Sequence, residues 1–152
     1  MSKTQNQEIS GAPLSAAALA AARATLAAAH LPIDDLTAEG VNLFAFLEAG
    51  NVVGYGGFER YGEDALIRSI VVVPHRRRSG LGRRIVESVL ARVQQQGAER
   101  AYLLTTDARD YFVGFGFVVV DRASAPASIL ATRQAASLCP ASAVLMMKTL
   151  KD

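Results

Sequence analysis

The stretch VVVPHRRRSGLGRR, residues 71–84, decides how the rest of the chain is read. Ile70-Val71-Val72-Val73 is an unbroken apolar run, the pattern of a central strand covered on both faces, and it ends at Pro74. A basic loop follows, then Gly80-x-Gly82, then the clearest helical pattern in the chain. The spacing predicts a helix over Ser79–Gln96, with Leu81, Ile85, Val89 and Val93 recurring every four residues and Gly97 as its C-terminal stop. Glycines without Cβ atoms let backbone N–H groups approach an anion closely. A helix N-terminus adds unpaired donors and partial positive charge. Arg76, Arg77, Arg78, Arg83 and Arg84 gather further positive charge around that terminus. The segment therefore reads as a phosphate or pyrophosphate cradle. It is not a P-loop, which needs Gly-Lys-Ser/Thr. Nor is it a dinucleotide-binding loop, because Ile85 stands at the third glycine position.

Upstream, a short strand is expected near Glu8–Ser10. Ser15 is placed to cap a helix whose face carries Leu19, Ala22, Leu26 and Ala29, and which Pro32 stops. Residues 33–39 read as one more helical turn, ended by Gly40. Leu43–Glu48 and Val52–Phe58 form a hairpin through Ala49-Gly50-Asn51. Gly54, Gly56 and Gly57 in its second strand point to a bulge or a close backbone approach. After the turn Tyr61–Asp64 comes the strand Ala65–Val73. Downstream of the main helix, Ala101–Thr105, Phe117–Val120 and Ala143–Lys148 read as strands, Asp110–Gly114 as a short helix or turn, and Leu130–Ala136 as a helix. This order predicts an α/β (α+β) layered fold, one domain spanning residues 1–152 with residues 1–10 loosely ordered.

With 152 residues, 51% hydrophobic and 20% charged, the chain is long and apolar enough to bury one core, and wholesale disorder is excluded. A net charge of +2 excludes a generic polyanion binder. Nucleic-acid binding through the Arg76–Arg84 cluster is an alternative reading, but no aromatic residue lies within the cluster for bases to stack on. The one cysteine, Cys139, cannot form an internal disulfide, and it reads as a packed small hydrophobe. His30 and His75 lack metal-ligand spacing, so no metal site is expected. Residues 14–29 are interrupted by Arg23 and filled with alanine, unlike a signal sequence or a membrane span. A cytoplasmic protein without membrane attachment is the simplest reading. An edge strand near the C-terminus leaves a homodimer open.

Ile70-Val71-Val72-x-Pro74 followed by Arg77-Arg78-Ser79-Gly80-Leu81-Gly82 resembles the acetyl-coenzyme A motif of the GNAT superfamily of N-acetyltransferases. Tyr111-Phe112-x-x-x-Gly116-Phe117 is similar to that family's Y-x-x-x-G-F signature. The blocks 65–69, 102–106, 131–134 and 137–143 are similar to small N-acetyltransferases of arsenic-resistance gene clusters. The 102–106 block and the phenylalanine-type signature also resemble the acetyltransferase domain of N-acetylglutamate synthase.

The resemblance implies a single domain with a mixed, mostly antiparallel sheet flanked by helices, and acetyl-coenzyme A (acetyl-CoA) as cosubstrate. It implies that Ile70, Val71 and Val72 present backbone groups to the pantetheine arm. Arg77, Arg78, Ser79, Gly80, Leu81, Gly82 and Arg83 would hold the pyrophosphate. Acetyl would pass directly to the amine of a small, amino-acid-like molecule, or the fold would serve as a non-catalytic coenzyme sensor. The family's tyrosine acid falls at Phe112, which has no proton to give; Tyr111 is adjacent, but about 100° around a helix. Glu59, after the glycine-rich strand, is the expected base. By strict alternation Arg68 shares a face with Leu66, Ile70 and Val72. A buried arginine needs a partner, either Glu59 or another acid, or a substrate carboxylate. Arg133 is a second expected carboxylate binder.

Overall fold

A computed structural model describes residues 9–77, 80–132, 135–136 and 142–150. Seven strands form one sheet: β1 (Ile9–Pro13), β2 (Asn42–Glu48), β3 (Asn51–Tyr61), β4 (Asp64–Val72), β5 (Arg100–Thr105), β6 (Val118–Val120) and β7 (Val144–Thr149). Their order across the sheet is β1-β2-β3-β4-β5-β7-β6, and only the β4–β5 pairing is parallel. Among the described residues, four α-helices flank it: α1 (Leu19–Ala28), α2 (Leu81–Gln95), α3 (Arg109–Val113) and α4 (Ala127–Leu130). The architecture is the mixed, mostly antiparallel α/β sheet expected. β1 extends further than the predicted Glu8–Ser10, through Pro13.

Local chemistry sets the element ends. Ala49 and Gly50 both take positive φ (52° and 83°), as a two-residue primed hairpin turn requires, and join β2 to β3. Ser15 accepts a hydrogen bond from Ala18 N–H and caps a short 3₁₀ turn before α1. α1 does not run on to Pro32. His30 enters the left-handed region (φ 62°), its N–H bonds Ala27 O, and Leu31 N–H bonds Leu26 O. That is a Schellman stop with histidine at the glycine position, so His30 terminates the helix instead of belonging to it. Gly97 closes α2 in the same way. Residues 33–39 make turns but no helix, because Asp35 and Leu36 are drawn into the interior. A short helix begins earlier than expected, at Ala127–Leu130, directly after Pro126. Of the segment expected to be helical, 130–136, residues 133–134 lie outside the described residues, and 135–136 are helical, with Ala136 N–H bonding Thr132 O.

The core has two unlike halves. On one face of the sheet, Ile85, Val86, Val89 and Val93 of α2 pack on Phe46, Val53, Phe58, Ala65 and Ile67 in one continuous apolar cluster that runs on to Phe112, Phe117 and Met146. Gly54 and Gly56 let α2 approach: a Cβ on Gly56 would lie 3.0 Å from Val89 and 3.2 Å from Ile85. The other face carries two smaller clusters. One joins Ala22, Leu26 and Leu36 to Ala45, Tyr55 and Val71; the other joins Ile129 to Leu66, Tyr102 and Leu145.

The glycine-rich strand carries the anticipated bulge: Phe46 pairs with Gly54 but Leu47 pairs with Val52, so β3 has one extra residue, Val53, against β2. A second irregularity lies across the ladder on β4. Gly57 pairs with Arg68 but Tyr55 pairs with Val71, so β4 carries one extra residue, with Ser69 at φ 62°. This corrects the alternation. Past the bulge Ile70 and Val72 turn to the α2 face, and Arg68 stays on the opposite face with Leu66 and Val71.

Candidate functional site

The sheet opens where β4 and β5 part. Their ladder holds only Asp64–Leu66 against Arg100–Tyr102, while β4 continues to Val72 and β5 continues to Thr105 paired with β7. Beyond Leu66, among the described residues, that edge of β4 has no strand beside it. Its backbone donors and acceptors line a gap suited to an extended amide chain. The expected positions Ile70, Val71 and Val72 lie along this stretch.

At the top of the gap stands the N-terminus of α2. The helix starts at Leu81, two residues later than predicted. Its cap is Gly80, left-handed at φ 80°, with no side chain capping the first turn. A Cβ on Gly80 would meet open space, so the glycine is there for its backbone conformation. Uncapped N–H groups at a helix start, beside Arg77 and Arg83, can hold a phosphate. Arg77 Nε donates to Val72 O at 3.0 Å and ties the loop back to the end of β4. Arg78 and Ser79 lie outside the described residues. The arginine cluster is partly neutralised: Arg76 and Arg84 both pair with Glu48 at the β2–β3 hairpin, and Arg83 pairs with Glu87 at 3.6 Å. Such pairing disfavours a continuous polyanion track. The gap, the uncapped helix start and the basic rim fit a ligand with a phosphate head and an amide-bearing arm.

Arg68 sits below the bulge, with its side chain fully buried. Its guanidinium grips Asp35 through two bonds (Nη1 to Oδ2 2.7 Å, Nη2 to Oδ1 2.6 Å), donates to Glu59 Oε2 at 2.8 Å, and bonds Ser69 Oγ through Nε at 3.2 Å. Burial lowers its pKa, but the hydrogen bonds and charges of Asp35 and Glu59 outweigh that and hold it above its ordinary value. Of the partners left open by the sequence, the structure supplies Glu59 and a second acid, Asp35. A substrate carboxylate would have to displace one of them.

Glu59 is only 5% exposed. Its other oxygen accepts a bond from the Tyr61 hydroxyl, which is half-buried. Burial and the neighbouring Glu59 push the Tyr61 phenol well above its usual range. Asp35 and Tyr61 are the members that sequence reasoning missed. Tyr61 had a signal, because residues two apart in a strand share a face. Asp35 had none, because it arrives from a loop. Arg133 and Cys139 lie outside the described residues. His75 is exposed in the basic loop. No group of three His, Cys, Asp or Glu among the described residues could hold a metal, and no helix there is long and apolar enough to cross a membrane.

At the far side of the gap, α3 carries the aromatic signature. Phe112 is buried in the core, edge-on to Phe117. Tyr111 is half-exposed and turned toward α2.

Comparisons with known proteins place this geometry. The sequence model of the Acetyltransferase (GNAT) family matches residues 16–117, more than half of the chain. No curated protein sequence matches. Among solved structures, N-acetylglutamate synthase from Neisseria gonorrhoeae, complexed with coenzyme A and L-arginine, superposes with a TM-score of 0.77 at 15% identity, over 97% of this chain and 34% of that one. This chain thus spans about a third of the synthase's length. A GNAT-family acetyltransferase from Staphylococcus aureus superposes with a TM-score of 0.72 at 17% identity, covering 94% of this chain and 99% of that one. The ribosomal-protein-S18-alanine N-acetyltransferase from Escherichia coli gives 0.68 at 16% identity, with 95% of each chain covered. At such identities the superpositions establish a shared fold, and the family match over 16–117 adds the sequence relation: the chain belongs to the GNAT family of N-acetyltransferases, whose acetyl donor is acetyl-CoA.

Proposed function

We propose that this enzyme transfers an acetyl group directly to the amine of a small, amino-acid-like acceptor, with Glu59 as the base. The observation that carries the reading is the buried Asp35–Arg68–Glu59–Tyr61 cluster on the sheet face opposite α2, beside the gap between β4 and β5. When bound, acetyl-CoA supplies an activated acetyl thioester. The backbone of Ile70–Val72 would align its amide arm. The N–H groups from Arg78 to Arg83, with Ser79 and the arginine side chains, would hold its phosphates. Such orientation supplies much of the rate gain.

Glu59 would take a proton from the acceptor ammonium. Its two oxygens are held by Arg68 and Tyr61, so the carboxylate is fixed in place but screened from bulk water. A water would therefore carry the proton. Arg68 then acts as a positioning residue for Glu59, and Arg133 remains the expected contact for an acceptor carboxylate. The arsenic-cluster resemblance adds arsenical and phosphinic amino acids to the acceptors worth assaying. We place the enzyme in the cytoplasm, where a lone thiol stays reduced.

The test is thiol release from acetyl-CoA against a panel of amino acids and their arsenical and phosphinic analogues. Saturable release with one acceptor is the expected result. In Glu59→Gln, kcat is expected to fall by about 10²–10⁴ and its acid limb to disappear. Wild-type activity across pH in that variant would remove Glu59 from the mechanism. Coenzyme binding without release from any acceptor would favour a sensor.

A further inference from the structure

We propose that Tyr111 is a coenzyme-binding residue whose hydroxyl donates to a phosphate at the start of α2. The inference rests on reading the gap between β4 and β5, with the start of α2 at its top, as the coenzyme site. The family signature puts a tyrosine where this chain has Phe112, and Phe112 is in the core. The phenol of this segment has moved one residue earlier, and the structure shows where it goes. A Cβ on Gly82 would lie 2.7 Å from the Tyr111 hydroxyl and 3.6 Å from Val72 Cγ2. The hydroxyl therefore lies at the first turn of α2, next to the end of β4, on the wall of the gap. An alanine at 82 would crowd it, so the second glycine of the loop makes room for Tyr111.

Three further observations fit a binding role. The hydroxyl has no hydrogen-bond partner among the described residues, whereas Arg76, Arg77 and Arg84 nearby each have one. Glu48 holds Arg76 and Arg84, and Val72 O holds Arg77. The ring is held edge-on by both Phe112 (5.2 Å) and Phe115 (5.2 Å), so the donor is preorganised. Arg83 stacks its guanidinium 4.7 Å over Phe115, so a cation and a phenol donor converge on one helix start. Burial raises the Tyr111 pKa, more than Arg83 lowers it, so the phenol keeps its proton at neutral pH and can donate. Its position beside Gly82, and not beside the Ser69 bulge, assigns it to the phosphate end of the coenzyme and not to the thioester.

Calorimetric titration of coenzyme A into wild type and Tyr111→Phe tests this, with acetylpantetheine, which lacks the pyrophosphate and nucleotide, as a competitor. The half-exposed site should accept phenylalanine without loss of fold. The expected result is a Kd for coenzyme A raised about tenfold, equal to about 1.4 kcal/mol, with acetylpantetheine affinity unchanged. In turnover, saturating acetyl-CoA should restore the wild-type kcat and pH profile. An unchanged Kd for coenzyme A overturns the proposal. Equal losses for both ligands would put the hydroxyl on the pantetheine arm and overturn the phosphate assignment. A lower kcat with the alkaline limb lost would make Tyr111 a proton donor instead. If wild type itself binds no coenzyme A, the reading of the gap fails first, and the two failures are distinct.

Discussion

The two faces of the sheet are built on opposite principles. The α2 face is one apolar continuum, from Phe46 and Phe58 through Ile85 and Val89 to Phe117 and Met146, and none of the buried charged side chains described lies in it. The opposite face is divided. Two small apolar clusters flank a buried arginine with two carboxylates and a phenol. Burying an apolar side chain contributes about 1.5–3 kcal/mol, whereas a buried ion pair roughly breaks even against its desolvation. The α2 face therefore holds the fold together, and the opposite face tolerates a costly arrangement, the one in which the proposed base Glu59 is held. The difference teaches where mutations will uncouple stability from activity.

The largest expected effect is on the charged face. Arg68→Leu strands Asp35 and Glu59 as buried carboxylates and should cost about 3–5 kcal/mol of stability in denaturant titration. A loss below about 1 kcal/mol would show that the carboxylates reach water, and that the two faces differ less than described. Next, Ile85→Ala opens a cavity in the α2 face and should cost about 2–4 kcal/mol, while the kcat of the folded fraction stays near wild type. A specific kcat loss there would erase the division of labour between the faces.

The smallest effect is a pH dependence. Tyr61 has a folded-state pKa raised by burial and by Glu59, so its contribution is intact below the unfolded value of about 10 and is lost as pH rises toward the folded value. Thermal stability should therefore decline above pH 10, and more steeply in wild type than in Tyr61→Phe. Burial raises Tyr55 and Tyr102 as well, so the decline persists in part in that variant. Identical slopes would mean that Tyr61 does not report on the cluster.

Much of this was legible in the chain. The apolar run into Pro74, the Gly80-x-Gly82 loop and the four-residue rhythm from Leu81 to Val93 each express a local rule, and each stands in the structure within two residues of its expected place. The bulge was half legible. Three glycines in β3 announced an irregularity, and β3 carries one at Val53 against β2, but the second extra residue is Ser69 on the partner strand β4, because a ladder's register belongs to two strands at once. That single residue moved Arg68 to the face opposite Ile70 and Val72, which no alternation rule could anticipate.

By itself, then, the sequence determined the elements with a strong local period, the glycine-dependent helix start and the family signature, since each depends on residues within a turn or two of one another. The tertiary structure alone decided which acid meets Arg68, which aromatic of the Tyr111-Phe112 pair faces the gap, and where β4 leaves β5. Those outcomes depend on groups far apart in the chain, Asp35 and Arg68 being 33 positions apart, and chain spacing carries no record of what the folded core brings into contact.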